Sequence, residues 1–168
     1  MRFIQTVIVM AGCLPIWAAS NQPVGALPAF ELTDPSGAKH TQAALLTSGS
    51  VVIVTIPNVK HAPIQDRWAR MITAGGWKKD GPKLVFIEDM SQSAVKEKSL
   101  ENLKKRFAPG KNPLILIDNS GGVRAKFGIM DDETVILVFD KKGKLVHFTE
   151  GPPDEDAAKK IIEAAGKI

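Results

Sequence analysis

The sequence predicts an α/β sandwich with a mixed central sheet, and three observations carry that reading. Ser50–Ile56, "SVVIVTI", is a continuous apolar, β-branched run, as suits a strand buried on both faces. Two more such runs, "KLVFIED" and "NPLILID", follow it, each after a segment of helical period. Two apolar strands then close the chain around "DKKGK", which reads as a hairpin and adds an antiparallel part to the sheet.

The elements follow in order. "FELTDPSGAKHT" reads as two short strands around Asp34-Pro35-Ser36-Gly37, with Pro at the second turn position and Gly at the fourth, as a type I turn allows. After the first central strand, Pro63 suits an opening helical turn, where a missing N–H costs nothing. Ile64, Trp68, Met71 and Ile72 fall on one face of that helix, and Gly75-Gly76 ends it. "SAVKEKSLENLKKRF" predicts a second helix with Leu100, Leu103 and Phe107 on one face, basic residues in its last turn and a stop at Pro109-Gly110. "NSGG" turns after the third strand, and "VRAKFGIM" reads as a short helix or connector. Asp154 caps a last helix whose apolar positions are Ala158, Ile161, Ile162, Ala165 and Ile168. The order is β-β-β-α-β-α-β-(α)-β-β-α, with no internal repeat and no second domain.

The N-terminus carries an address. "MRFIQTVIVMAGCLPIWAAS" has one Arg, an apolar run too short for a comfortable membrane span, and small residues at its end. That is the pattern of a secretory signal cleaved near Ser20. The expected organisation is a signal peptide over residues 1–20, a linker over 21–29 and one domain over 30–168. Location is then periplasmic or secreted. Cys13 is the only cysteine, and "VMAGC" offers a lipobox as the alternative, which would anchor the protein through a lipidated Cys13. Cleavage at Ser20 leaves a mature chain with no thiol, hence no disulfide, no thiolate nucleophile and no Cys-ligated metal.

Composition excludes little else. The 168 residues are 44% hydrophobic and 24% charged, with a net charge of +4 and a pI near 9.2. The lysines are spread along the chain and "EGPPDED" offsets them locally, so no aromatic-and-basic nucleic-acid signature is present. His40, His61 and His147 are the only histidines, and they show no H-x-x-x-H or H-E-x-x-H spacing. The methionines Met71, Met90 and Met130 read as apolar packing before they read as copper ligands. No G-x-S-x-G elbow occurs, and "NSGG" lacks the spacing of a phosphate loop. The carboxylate run Asp131, Asp132 and Glu133 reads as a solvated loop. His61, in "KHAPI" at the strand-to-helix turn, is the one group placed where α/β proteins often carry chemistry.

Three segments resemble the thioredoxin-like superfamily, in particular its exported branch of peroxiredoxins and thiol reductases. They are "PAFELTDPSGAKHT" with the strand that follows, "LILIDNSGGVRAKFGI", and "TVILVFDKKGKLVHFTEG". The run from "LILID" to the C-terminus also resembles the YtfJ-like periplasmic proteins. The resemblance implies a thioredoxin-like α/β/α sandwich with an N-terminal β-hairpin extension. It also implies where chemistry would sit. "KHAPI" matches the C-x-P-C turn, with His61 at the nucleophile position, Ile64 at the resolving position and the proline kept at Pro63. Thr134 falls where relatives carry a cis-proline, and a non-proline residue there is expected in trans. Both cysteines are therefore missing, and neither thiol–disulfide exchange nor cysteine peroxidase activity is expected.

What remains is binding. Pro57, Val59, Ala62 and Pro63 offer an apolar lip, with Lys60 and His61 as polar handles and Thr134 opposite. The expectation is a non-catalytic module that holds a protein or peptide partner in the periplasm or envelope, with no cofactor, no nucleic acid and no membrane span after cleavage. The rival expectation is copper or zinc bound at His61, or an enzyme of unrecognised type built on that residue.

Overall fold

The computed structural model of the protein describes residues 21, 23–77, 81–106, 113–130 and 132–166. The signal-like segment with Cys13, the positions Phe107, Asp131 and Ile168, and the Pro109-Gly110 stop lie outside these.

A seven-stranded sheet organises the chain, in the order β2-β1-β5-β4-β3-β6-β7. Its strands are β1 (Glu31–Thr33), β2 (Lys39–Thr41), β3 (Val51–Ile56), β4 (Lys83–Asp89), β5 (Leu114–Asp118), β6 (Val135–Phe139) and β7 (Leu145–Glu150). β3 pairs in parallel with β4, and β4 with β5, while β6, β7, β1 and β2 all pair antiparallel. All six residues of β3 are buried, because it has a strand on each side and helices over both faces. That is why "SVVIVTI" shows no polar alternation.

The helices are α1 (Gln42–Leu46), α2 (Ala62–Ala74), α3 (Lys96–Arg106), α4 (Gly122–Lys126) and α5 (Glu155–Gly166). One face of the sheet packs Val51, Ile53, Val85, Ile87, Leu137 and Phe139 against Leu45 of α1, Val123 of α4 and Phe127. The other packs Val52, Val54, Phe86, Ile136 and Val138 against Trp68 and Ile72 of α2 and Ala158, Ile161 and Ala165 of α5. Even and odd strand positions thus feed two separate cores, as pleating requires. Each fully buried aliphatic side chain contributes about 1.5–3 kcal/mol.

Local chemistry explains the joints. The Asp34 turn closes with the Gly37 N–H donating to the Asp34 carbonyl at 2.9 Å, and Gly37 has a φ of 92°. The Asp34 carboxylate accepts from the backbone N–H groups of Ser36 and Ala38 and from the Ser36 hydroxyl. Burial pushes this carboxyl up, but those bonds and the His40 ring outweigh it and hold it below its ordinary value. Asp118 organises "DNSGG" in the same way, accepting from the N–H groups of Ser120, Gly121 and Val123. At the start of α5, Asp154 accepts from the Ala157 N–H at 2.9 Å, the cap expected there.

Two features differ from the sequence reading. The first is α1, unforeseen because "QAALL" is too short to show a helical period; Thr41 caps it by accepting from the Ala44 N–H. The second is in the segment 21–29, expected as a linker, whose described residues are laid down on the domain. Ala26 bridges Lys144, the Leu145 N–H donates to the Gly25 carbonyl at 2.9 Å, and the Val24 N–H donates to the Phe127 carbonyl at 3.0 Å. Asn21 reaches Glu150 with its amide and accepts from the Met130 N–H. The segment satisfies backbone groups that the open edge at the start of β7 would otherwise leave to water.

Candidate functional site

The parallel strands β3, β4 and β5 all end at one edge of the sheet, and antiparallel β6 begins there. Open α/β sheets place ligands at this edge. β3 runs out through Pro57 into a turn built by Asn58. The Asn58 side chain accepts from the Lys60 N–H at 2.9 Å, and its carbonyl accepts from the His61 N–H at 3.0 Å. One 3-10 turn, Val59–His61, follows and hands over to α2, with Pro63 in its first turn. His61 sits at the cap position, and its side chain does not bond the helix N–H groups.

The expected site residues are distributed unevenly. Lys60 and Pro63 are exposed, His61 is half-buried, and Pro57 and Thr134 are buried. Pro57 is therefore not part of an exposed apolar lip, because the chain is still inside the domain when it leaves β3. Thr134 is 1% exposed, immediately ahead of β6. Pairing of Thr55 with Val135 sets Ile56 across from Thr134, so the start of α2 and the 133–134 segment meet the same sheet edge. Both carry a buried polar atom with no hydrogen-bond partner, His61 Nδ1 and Thr134 Oγ1.

Beneath this edge lies a polar network that sequence reasoning missed. Arg124, 6% exposed, donates from Nη1 to Thr55 Oγ1 at 2.9 Å and from Nη2 to the Glu133 carbonyl at 2.9 Å. Thr55 Oγ1 in turn donates to the Val135 carbonyl. The guanidinium thereby ties α4 to β3 and fixes the 133–134 segment across from it. On the opposite face of the sheet, Glu88 of β4 is 4% exposed and accepts from Gln65 Nε2 of α2. The only sequence signals were one polar residue inside each of two apolar strands, Thr55 and Glu88.

Glu88 and Gln65 line a cavity of about 210 Å³, together with Ala62 at the start of α2, Met90, and Ser99, Asn102 and Leu103 of α3. The histidines do not converge. His40 lies on β2 and His147 on β7, at opposite edges of the sheet, with His61 at the end of β3. His40 Nε2 is 3.0 Å from Asp34 Oδ2. Among the described residues no three of His, Cys, Asp and Glu come together as a metal centre. Among them, too, no helix is long and apolar enough to cross a membrane.

Comparison with protein-family models gives no match, and neither does comparison with curated proteins. Solved structures do match. The exposed lipoprotein thioredoxin Etrx1 of Streptococcus pneumoniae superposes with a TM-score of 0.61 at 18% identity, over 81% of this chain and 98% of that one. A putative thiol:disulfide interchange protein DsbE of Chlorobium tepidum gives 0.58 at 17% identity, over 87% and 99%. ScoI of Arabidopsis thaliana, crystallised with copper bound, gives 0.61 at 13% identity, over 86% and 100%. With a single cysteine in its 168 residues, this sequence cannot form an intramolecular dithiol. The mixed sheet, the flanking helices and these superpositions together establish that the chain has the thioredoxin-like fold.

Proposed function

We propose that the protein is an exported binding module that holds a polypeptide partner against the turn where thioredoxin-like relatives carry their dithiol, and that it performs no thiol chemistry. The observation that carries this is the pair of buried, unpartnered polar atoms, His61 Nδ1 and Thr134 Oγ1, at one sheet edge. Buried polar groups normally find partners, and an extended main chain supplies both donors and acceptors. The exposed Lys60 and Pro63 beside them supply contact surface. The signal-like N-terminus supports export, and the lipobox at Cys13 supports an anchored form of the same module.

Photo-crosslinking residues placed at positions 60 and 63, with one at Lys159 on the far helix as control, test this in envelope extract. A discrete crosslinked partner from 60 and 63, absent from the control and lost in the His61→Ala variant, is expected. No product above control refutes the binding reading. Insulin reduction by the protein is expected to stay at the uncatalysed rate.

The copper in ScoI motivates a second reading, with His61 Nδ1 as a ligand. It finds no pair of companion ligands among the described residues. Stoichiometric copper or zinc in protein purified without a histidine tag, lost on His61→Ala, would establish it over the first.

A further inference from the structure

Thr134, with its buried and unpartnered hydroxyl, is held from distant parts of the chain. The Gly151 N–H, just past β7, donates to the Thr134 carbonyl at 3.0 Å. Arg124 holds the preceding carbonyl, that of Glu133, at 2.9 Å. A further hold acts one step out and comes from the N-terminal arm. Asn21 Oδ1 accepts from the Met130 N–H at 2.9 Å, and Asn21 Nδ2 donates to Glu150 Oε2 at 2.9 Å. One side chain thus ties the residue four places before Thr134 to the residue beside Gly151.

Apolar packing does not account for this bridge. Met130 is 73% exposed, so its side chain does not anchor its backbone, and Glu150 is exposed as well. Asn21 itself is 8% exposed, although its two partners lie 109 and 129 residues away in sequence. A primary amide suits the place, because it accepts through one atom and donates through the other. Aspartate would set a second carboxylate against Glu150, and alanine would supply neither bond. We infer that Asn21 is a positioning residue for the binding face: it clasps Met130 to the end of β7 and so keeps Thr134 across from the His61 turn. The inference rests on the peptide-binding reading above and adds control of that face by the N-terminal arm. The clasp is local, so its loss opens this edge without unfolding either core.

The test is amide hydrogen exchange followed by NMR, with the photo-crosslink from position 63 in envelope extract as the second readout. The Gly151 N–H is the telling group, because it bonds Thr134 and not Asn21. In Asn21→Ala its exchange is expected to rise at least about tenfold, with the Val54 N–H in the core unchanged and the crosslinked product reduced severalfold. Asn21→Asp is expected to be worse than Asn21→Ala, from repulsion by Glu150. Asn21→Asp combined with Glu150→Gln reverses donor and acceptor across the bridge and is expected to restore both readouts. Unchanged exchange at Gly151 in Asn21→Ala overturns the clasp and leaves the binding reading standing. Faster exchange with an undiminished crosslink overturns the positioning role. If Asn21→Ala loosens Val54 as well, the double variant decides: recovery supports the clasp, and no recovery overturns it. No crosslink from the unsubstituted protein takes down the binding reading and this role together, whatever the amides show.

Discussion

α2 and α3 occupy the same role in the chain and behave as different materials. Each connects two neighbouring parallel strands, α2 between β3 and β4 and α3 between β4 and β5. α2 buries Gln65, Trp68 and Ile72, with Trp68 and Ile72 at 0% exposure, and Trp68 Nε1 donates to the Gly151 carbonyl at 3.3 Å. α3 buries none of its described side chains, and cavities of about 210 and 260 Å³ flank it, both bordered by Met90. The cause is composition. Seven of the eleven α3 residues are charged, against three of thirteen in α2. An amphipathic helix is held by the apolar face it buries, so α2 is a fixed wall and α3 an adjustable one. The cleft between them inherits one of each.

The comparison breaks most directly at Trp68. Trp68→Ala is expected to cost about 3–5 kcal/mol of stability, measured by urea unfolding, because it empties a fully buried indole site between α2 and the sheet. A cost near 1 kcal/mol would show α2 to be no better anchored than α3.

A smaller effect is expected where the β5–α4 turn packs against the connection that feeds α3. Gly121 has a φ of 70°, and a Cβ there would stand 2.6 Å from the Ser91 hydroxyl oxygen. Gly121→Ala should cost about 1–3 kcal/mol, from the left-handed backbone and the contact with the β4–α3 connection. A neutral result in the same unfolding assay would mean that this connection yields freely.

Leu103→Ala should cost only about 1 kcal/mol, since the side chain is half-buried against a cavity that already exists. A loss matching that of Trp68→Ala would abolish the distinction between the helices.

The smallest effect is a pH dependence on the α5 side, away from α3. Burial, and then the nearby charge of Lys160, hold the His147 imidazole below its ordinary 6.5. The unfolded chain therefore binds the proton first as pH falls, so this group leaves stability unchanged above about 6.5 and lowers it progressively below that value. Unfolding midpoints compared between about pH 7.5 and about pH 5 should fall more steeply for the native protein than for His147→Asn. Identical slopes would remove His147 as a cause.

The elements that were legible in the sequence are those whose local chemistry and burial agree. β3 to β5 read as apolar runs because both sheet faces are covered. The Asp34 turn, Pro63 in the first turn of α2 and the Asp154 cap could be read because each satisfies backbone groups within a few residues. Glu88 and Thr55 look like interruptions in apolar strands until Gln65 and Arg124 arrive from 23 and 69 residues away. Pro57 looked like surface because prolines usually are, and its burial comes from the packing of the folded domain around it.

The sequence by itself determined the order of the strands and of every helix except α1, the antiparallel closing hairpin, the turn at His61 and the impossibility of an internal dithiol. Each follows from periodicity, from turn residues acting over a few positions, or from counting cysteines. Only the tertiary structure decided that residues 24–27 guard the edge near β7 and that Arg124 pins the segment across from the His61 turn. It alone placed a carboxylate at the floor of a cleft between a fixed helix and a loose one. Those depend on contacts between residues distant in sequence, where pleat, register and helix packing bring together groups that no local pattern relates.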